Sequence, residues 1–383
     1  MTPLAELETP ALLLDRRRLL RNAERMEARA RALGVALRPH LKTCKSADVA
    51  RLLPAAGAYG ITVSTTREAE YFAAQGWRDQ LYAVAAAPHR LPRLAALARD
   101  GVRVRLAADS AEAVRWIGDA AQREGVVFEV MLEVDSGEHR SGLLPRDPVL
   151  VALARRLADR RDTRFAGVYT HAGHSYGAGG IAAIRAIAED ERRAVVDARE
   201  RLEAAGLTVP IVSVGSTPTA THATALGGVT ELRAGVYVFM DAFQAAIGSC
   251  TLDDVATTVL ATVIGHQRAH GRALIDAGGL ALSKDRSTRS LGGTRDCGYG
   301  LVLDEAGSTL LEGLVVAEVY QEHGVLESRP GASLDFARLP LGSRVRIVPN
   351  HSCMTCSAFD AYQVVDGDRC VAVWPRIHEW SRT

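Results

Sequence analysis

From Thr9 onward the chain alternates short apolar runs with longer amphipathic segments. Ala11–Leu14 reads as a strand. Arg16–Leu33 reads as a helix, with apolar residues near helical spacing and Gly34 as its stop. Val35–Leu37 starts a second strand, which runs into Arg38-Pro39-His40-Leu41-Lys42. Further short runs stand at Gly60–Val63, Leu81–Ala85, Val102–Ala107, Phe128–Val134, Gly167–Thr170 and Ile211–Val214. Arg- and Ala-rich helical stretches separate them, such as Ala111–Glu124, Pro148–Arg160 and Ala182–Ala205. Strands alternating with helices of this length form βαβ units and a parallel sheet. Seven or eight such units over roughly 230 residues fit a (β/α)8 barrel better than an open sheet.

After about Gly248 the pattern changes. VATTVLATVIGHQ, RALIDAG, LLEGLVVAEVYQEHG, SRVRIVPNHSC, YQVVDG and CVAVWPR are β-rich runs with Gly, Asp and His at the turns. They predict an antiparallel β domain. The expected division is a barrel over residues 10–247 and a β domain over 248–383 together with residues 1–9. Ser283–Asp296 is polar and reads as a long loop. A chain of 383 residues suits two domains, because single cores stop growing near ~250–300 residues.

Composition narrows the function classes. With 46 basic and 45 acidic residues the formal net charge is +1, without the basic excess that nucleic-acid or membrane surfaces need. No apolar run reaches the ~18 residues of a spanning helix. The N-terminus shows no basic segment followed by an apolar core, so no signal peptide is expected. Six cysteines are too few for a disulfide scaffold and read as reduced thiols, so a cytoplasmic location is expected. Arginine supplies nearly all the basic charge. Chemistry that needs a deprotonatable amine has only Lys42, Lys45 and Lys284 to draw on, since arginine keeps its proton.

Lys42 ends a strand, and barrel active sites gather at strand C-termini. A desolvated lysine there can form a Schiff base, although position alone favours a solvated loop lysine. Lys45 lies three residues further into the loop. Val-Gly-Ser-Thr-Pro-Thr at 214–219 follows a strand and offers backbone N–H groups and hydroxyls at one point, either as a phosphate cradle or simply as a helix cap. Arg233-Ala-Gly235-Val-Tyr237 gives a second small-residue turn. His351 and Cys353 are two apart after the expected strand Ser343–Val348, where an extended segment would turn both to one face. An imidazole and a thiolate suit zinc or a similar ion, while a buried structural pair is the plain alternative. Cys356 completes a CxxC, a redox or zinc-ribbon signature. Arg140, His171, Tyr176 and Gln321 are further polar residues at strand ends or turns.

The segments TP-ALLLD, RPHLKTCKS, GITVSTTREAE, YAVAAAPHR, THAGHSY, VSVGSTPT, RAGVYVF, DAG…SKDR, QEHG and PNHSC, in this order, resemble the fold-type III pyridoxal-phosphate enzymes of the D-serine dehydratase and D-threonine aldolase group. The resemblance runs from about Thr9 to Trp380. It implies an alanine-racemase-like barrel followed by an antiparallel β domain, as a homodimer with active sites at the subunit interface. It also implies that Lys42 carries pyridoxal phosphate, that His171 stacks on the pyridine ring, and that Tyr176 lies near the ring nitrogen. Arg140 joins the cofactor-binding set. Ser216 and Thr217, with backbone around Gly215, Gly235 and Tyr237, would hold the phosphate. His351 and Cys353 match the metal pair, with zinc favoured and manganese or another divalent ion possible. Gln321, Ser283 and Arg286 are the implied substrate contacts.

The implied reaction removes water from a β-hydroxy D-amino acid, D-serine or D-threo-3-hydroxyaspartate, giving a 2-keto acid and ammonia. The dehydratases of this group carry His-x-Cys, as here, and the aldolases more often His-x-Asp. Retro-aldol cleavage to glycine and an aldehyde is the alternative on the same site. A non-catalytic pyridoxal-phosphate homeostasis protein is a third reading, and the long C-terminal part with its metal pair counts against it.

Overall fold

The computed structural model describes residues 2–378. Its contacts divide the chain into two compact units, Glu24–Gly235 and the segment up to Ala23 with Val236–His378. By these contacts segments 10–23 and 236–247 fall in the β unit, where the expected division put them with the barrel. The physical reason lies in one strand. Ala11–Asp15 pairs antiparallel with Thr257–Leu260 and parallel with Gln363–Val365, so it belongs to the antiparallel sheet. A four-residue apolar run does not reveal which sheet it joins.

The first unit is a parallel barrel. Its eight strands are Ala36–Leu37, Ile61–Val63, Asp79–Ala85, Arg103–Ala108, Phe128–Glu133, Thr163–Tyr169, Ile211–Val214 and Glu231–Leu232. From the second strand on each pairs with the next, and the last pairs with the first. The first and second strands close the ring, with Thr62 N–H donating to Pro39 O and Leu41 N–H to Thr62 O. The helices between follow from local chemistry. Ser110 accepts from Ala113 N–H to start Ala111–Glu124, and Gly125 stops it at φ 65°. Asp147 caps Pro148–Ala158, whose first residue is proline. Inside the ring, Leu81, Ala107, Met131, Ala166 and Tyr169 form one buried cluster. Away from it, Arg38 pairs with Glu231 at 2.9 Å and Asp79 at 2.6 Å, and Arg105 reaches Asp79 at 2.5 Å. Arg38 and Arg105 are both buried, so these ions depend on one another for solvation.

The second unit is antiparallel, as expected. Thr257–Gln267, Arg272–Ile275, Gly324–Ser328, Leu310–Val319, Gly300–Asp304 and Arg344–Pro349 pair in that order, and the last returns to the first. That closes a six-stranded ring without free edges. Ala11–Asp15, Ala361–Asp366 and Arg369–Pro375 extend the sheet from Thr257–Gln267. No helix among the described residues is long and apolar enough to cross a membrane.

Candidate active site

A cavity of about 300 Å³ opens in the barrel unit, lined by His40, Lys42, Ser64, Ala83–Ala85, Glu133, Arg140, Ser141, Tyr169, His171 and Arg233. Most of these residues sit at or just beyond strand C-termini, the end where barrel enzymes work. The structure therefore brings together Lys42, Arg140 and His171 from the sequence-derived set. It also separates the two neighbouring lysines. Lys45 stands at φ 47°, and its ammonium pairs with the fully buried Glu68 at 3.1 Å. Lys42 lines the cavity instead.

His171 donates its Nδ1–H to the carbonyl of Gly215 at 2.6 Å. Burial first, and then the charge of Lys42, push its imidazole down to about 3. The ring is thus uncharged at neutral pH, with the proton on Nδ1. His40 is held well below its usual range by burial and then Lys42, and its Nε2 stands 3.3 Å from the Ser64 hydroxyl. Tyr169 donates to Glu133 at 2.8 Å, and burial followed by that carboxylate raises its phenol well above 10. Arg233 lies over the Tyr169 ring at 4.9 Å while donating to Ser213 Oγ and Thr170 O. The sequence reading gave no role to His40, Ser64, Glu133 or Tyr169. The signal available was strand position: Tyr169 precedes His171 by two, and Glu133 closes its strand.

The turn after Ile211–Val214 is built as a cap. Gly215 has φ 149°, and a Cβ there would meet Arg233 O at 2.0 Å, so only glycine fits. The Ser216 hydroxyl accepts from Thr219 N–H, and the Thr219 hydroxyl accepts from Ser216 N–H. Ser216 Oγ also lies 2.9 Å from Ser175 Oγ, in the turn Gly173–Gly177 that holds the half-buried Tyr176. The Ser216 hydroxyl thus caps the turn, and Thr217 holds the first helical position. Gly235 packs against the backbone of His40, 3.0 Å from its carbonyl for a built Cβ.

One residue missed entirely is Glu191. It sits buried in the helix Ile181–Ala204, where a glutamate among arginines reads as a solvated face. Its Oε1 accepts from both Ala172 N–H at 3.1 Å and Gly215 N–H at 2.9 Å. Burial pushes its carboxyl up, against those hydrogen bonds.

The remaining sequence-derived residues lie in the β unit. Tyr237 is buried in the turn Val236–Val238. Gln321 is exposed at the hairpin turn after Leu310–Val319. Ser283 stands at φ 68° and takes the Asp285 N–H on its hydroxyl. Arg286 pairs with Asp296 at 2.9 Å and lies over Tyr299. His351 and Cys353 do meet, their side chains hydrogen-bonded, but not through strand alternation. His351 is the N-cap of the helix Ser352–Cys356, with Cys353 in its first turn, so the extended-segment argument is corrected. Burial works against charge on His351, yet Cys353 and then Asp285, 3.7 Å from Nδ1, raise it to about 11. Asp285, opposed by burial, is held down to about 2 by His351 and Ser287. Ser352, between the two donors, gives both its N–H and its hydroxyl to Asp241. Cys356 is fully buried, which removes it from the exposed side of its CxxC.

Both sites fit the groups named. The cavity pairs a lysine amine with an uncharged planar imidazole, at the lower end of the size of small-molecule sites. The second site offers one nitrogen and one sulfur donor. Among the described residues no group of three His, Cys, Asp or Glu side chains completes a metal cage, and a two-donor site leaves coordination positions open.

Comparison with known proteins agrees over the whole chain. The family model for the alanine racemase N-terminal domain matches residues 14–242, and that for a serine dehydratase domain matches 256–365. D-threo-3-hydroxyaspartate dehydratase of Delftia sp. (strain HT23) is 50% identical over 380 residues, covering 98% of this chain and 99% of its own. D-serine dehydratase of Dictyostelium discoideum is 31% identical over 94% of each chain. A 3-hydroxy-D-aspartate aldolase of Paracoccus denitrificans (strain Pd 1222) is 30% identical over 97% of this chain and 92% of its own. A solved D-threo-3-hydroxyaspartate dehydratase, a cysteine-to-alanine mutant in the metal-free form, has a TM-score of 0.95 at 48% identity, over 99% of this chain and 100% of that one. Barrel, β unit and motif order together place this chain in the fold-type III pyridoxal-phosphate enzymes that join an alanine-racemase-type barrel to a D-serine-dehydratase domain.

Proposed function

We propose that the chain is a dehydratase that removes water from a β-hydroxy D-amino acid, D-threo-3-hydroxyaspartate or D-serine, leaving a 2-keto acid and ammonia. The observation that carries this reading is the placement of Lys42 on the cavity wall with a neutral His171, while Lys45 is spent on Glu68. Bound pyridoxal phosphate supplies an electron sink for charge at Cα. His351 and Cys353 would hold a divalent ion, zinc by donor chemistry, and that ion would supply a Lewis acid.

The chain's own residues do the rest. Lys42 Nζ would hold the cofactor aldehyde, and its amine is the group placed to take the substrate's Cα proton. His171 offers a flat face without adding a second positive charge beside Lys42. Ser216 and Thr217, with the backbone around Gly215, Gly235 and Tyr237, would hold the phosphate. Arg140, Tyr176 and Tyr237 complete the cofactor set, and Ser283, Arg286 and Gln321 are the assigned substrate contacts. Homodimerisation rests on the resemblance, and a cytoplasmic setting on the reduced cysteines.

Retro-aldol cleavage is the competing reading, supported by the aldolase relative. The His-x-Cys pair and the 50% identical dehydratase favour elimination. Product analysis tests it. D-serine, D-threo-3-hydroxyaspartate and D-threonine are each incubated with the enzyme, with and without chelator. Keto acid and ammonia, lost on chelation, are expected. Glycine and an aldehyde as the main products would reject the dehydratase assignment.

A further inference from the structure

We infer that Glu191 is the positioning residue for the cofactor face of this site. The inference rests on the proposed use of His171 and the 215–217 turn for pyridoxal phosphate. One carboxylate oxygen of Glu191 takes the N–H of Ala172, directly after His171, and the N–H of Gly215. The carbonyl of Gly215 in turn takes the proton of His171 Nδ1. A single buried oxygen thus pins both ends of the hydrogen bond that orients the ring. Glu191 also hydrogen-bonds Thr219, the residue reciprocally capped with Ser216, so the phosphate turn hangs from the same carboxyl.

The two loops come from different strands, held together before the ring by Thr170 N–H on Ser213 O and beyond it by the Ser175–Ser216 hydroxyl contact, while at His171, Ala172 and Gly215 themselves the carboxyl and the imidazole make the link. A helix glutamate otherwise buried at this cost would be replaced by leucine without loss if only packing mattered. What the carboxyl adds is reach. Its oxygen must sit at one point within hydrogen-bond distance of two amides. Withdrawing it loosens the His171 loop and the Gly215 turn relative to each other at the hydrogen bond that orients the ring.

Two variants separate reach from charge. Glu191→Gln keeps an acceptor oxygen in place and loses the charge. Glu191→Asp keeps the charge and withdraws the oxygen by one methylene. Pyridoxal phosphate is titrated into each apoprotein, and its affinity and induced visible circular dichroism are read alongside unfolding in urea. Glu191→Gln is expected to match the wild type in cofactor affinity and dichroism. Glu191→Asp is expected to weaken binding by about tenfold, the equivalent of one hydrogen bond, with an altered dichroic band. Equal behaviour of both variants, or impairment of Gln alone, overturns the inference, and a change confined to the urea midpoint reduces Glu191 to a structural role. Hydrogen exchange on the wild type gives a second reading, with the Ala172 and Gly215 amides expected among the slowest, and fast exchange there also overturns it. Failure of the wild type to take up pyridoxal phosphate on Lys42 would instead sink the functional reading beneath it.

Discussion

The Nδ1–H of His171 is donated to Gly215 O, and this contact decides where the ring carries its proton. It also has a consequence for acid stability. The folded imidazole titrates at about 3 and the unfolded one near 6.5. Between these values only the unfolded chain binds the extra proton. The contribution is therefore complete above 6.5 and is lost as pH falls, at about 1.4 kcal/mol per pH unit per group. His40, also held down, acts in the same direction. Urea midpoints measured on both sides of 6.5 should fall on acidification, and less steeply in His171→Gln. Identical slopes in the two proteins would contradict the assignment.

Lys42 and Lys45 should respond oppositely to substitution. Lys42→Ala is expected to keep the fold and lose the borohydride-trappable cofactor adduct, read by peptide mass. Lys45→Met should retain the adduct but lose stability, by up to about 3–5 kcal/mol, because it removes the ammonium from the buried Glu68, whose other oxygen keeps the Ser64 N–H. An adduct persisting in Lys42→Ala would move the cofactor elsewhere.

For the metal pair, Cys353→Ala and His351→Ala should each abolish stoichiometric metal in purified protein, measured by elemental analysis. Cys356→Ala should leave metal content unchanged, since Cys356 is buried while Cys353 is half-buried beside His351. Equal losses from both cysteines would revive the CxxC as the ligand unit.

Gly215→Ala should destabilise by about 1–3 kcal/mol from its positive φ alone, before the overlap with Arg233 O is counted. Gly57→Ala is the matched control. It lies within the helix Pro54–Ala58 with open space around its Cβ, and alanine there should be neutral or stabilising by up to about 1 kcal/mol. Chemical denaturation of the two variants checks both signs.

Much of this was readable in the chain. Ile211–Val214 and Ala111–Glu124 form with the limits their residue patterns set, because a buried apolar run and a capped amphipathic stretch are local properties. The eighth barrel strand was not readable. Glu231–Leu232 has two residues, one of them an ion-paired glutamate, and no periodicity marks it. His351 and Cys353 were found for the wrong geometric reason, since a cap and a strand both bring residues two apart together. Glu191 carried no sign at all. Its role arises from two loops far apart in sequence, and single-chain patterning reports only neighbours.

The strand Ala11–Asp15 has a cost during synthesis. Its partners, Thr257–Leu260 and Gln363–Val365, leave the ribosome long after it does. The intervening barrel can close in the meantime, while Leu12, Leu13 and Leu14 wait without their sheet partners. These three leucines are buried in the finished protein, so their burial waits on strands made much later in the chain.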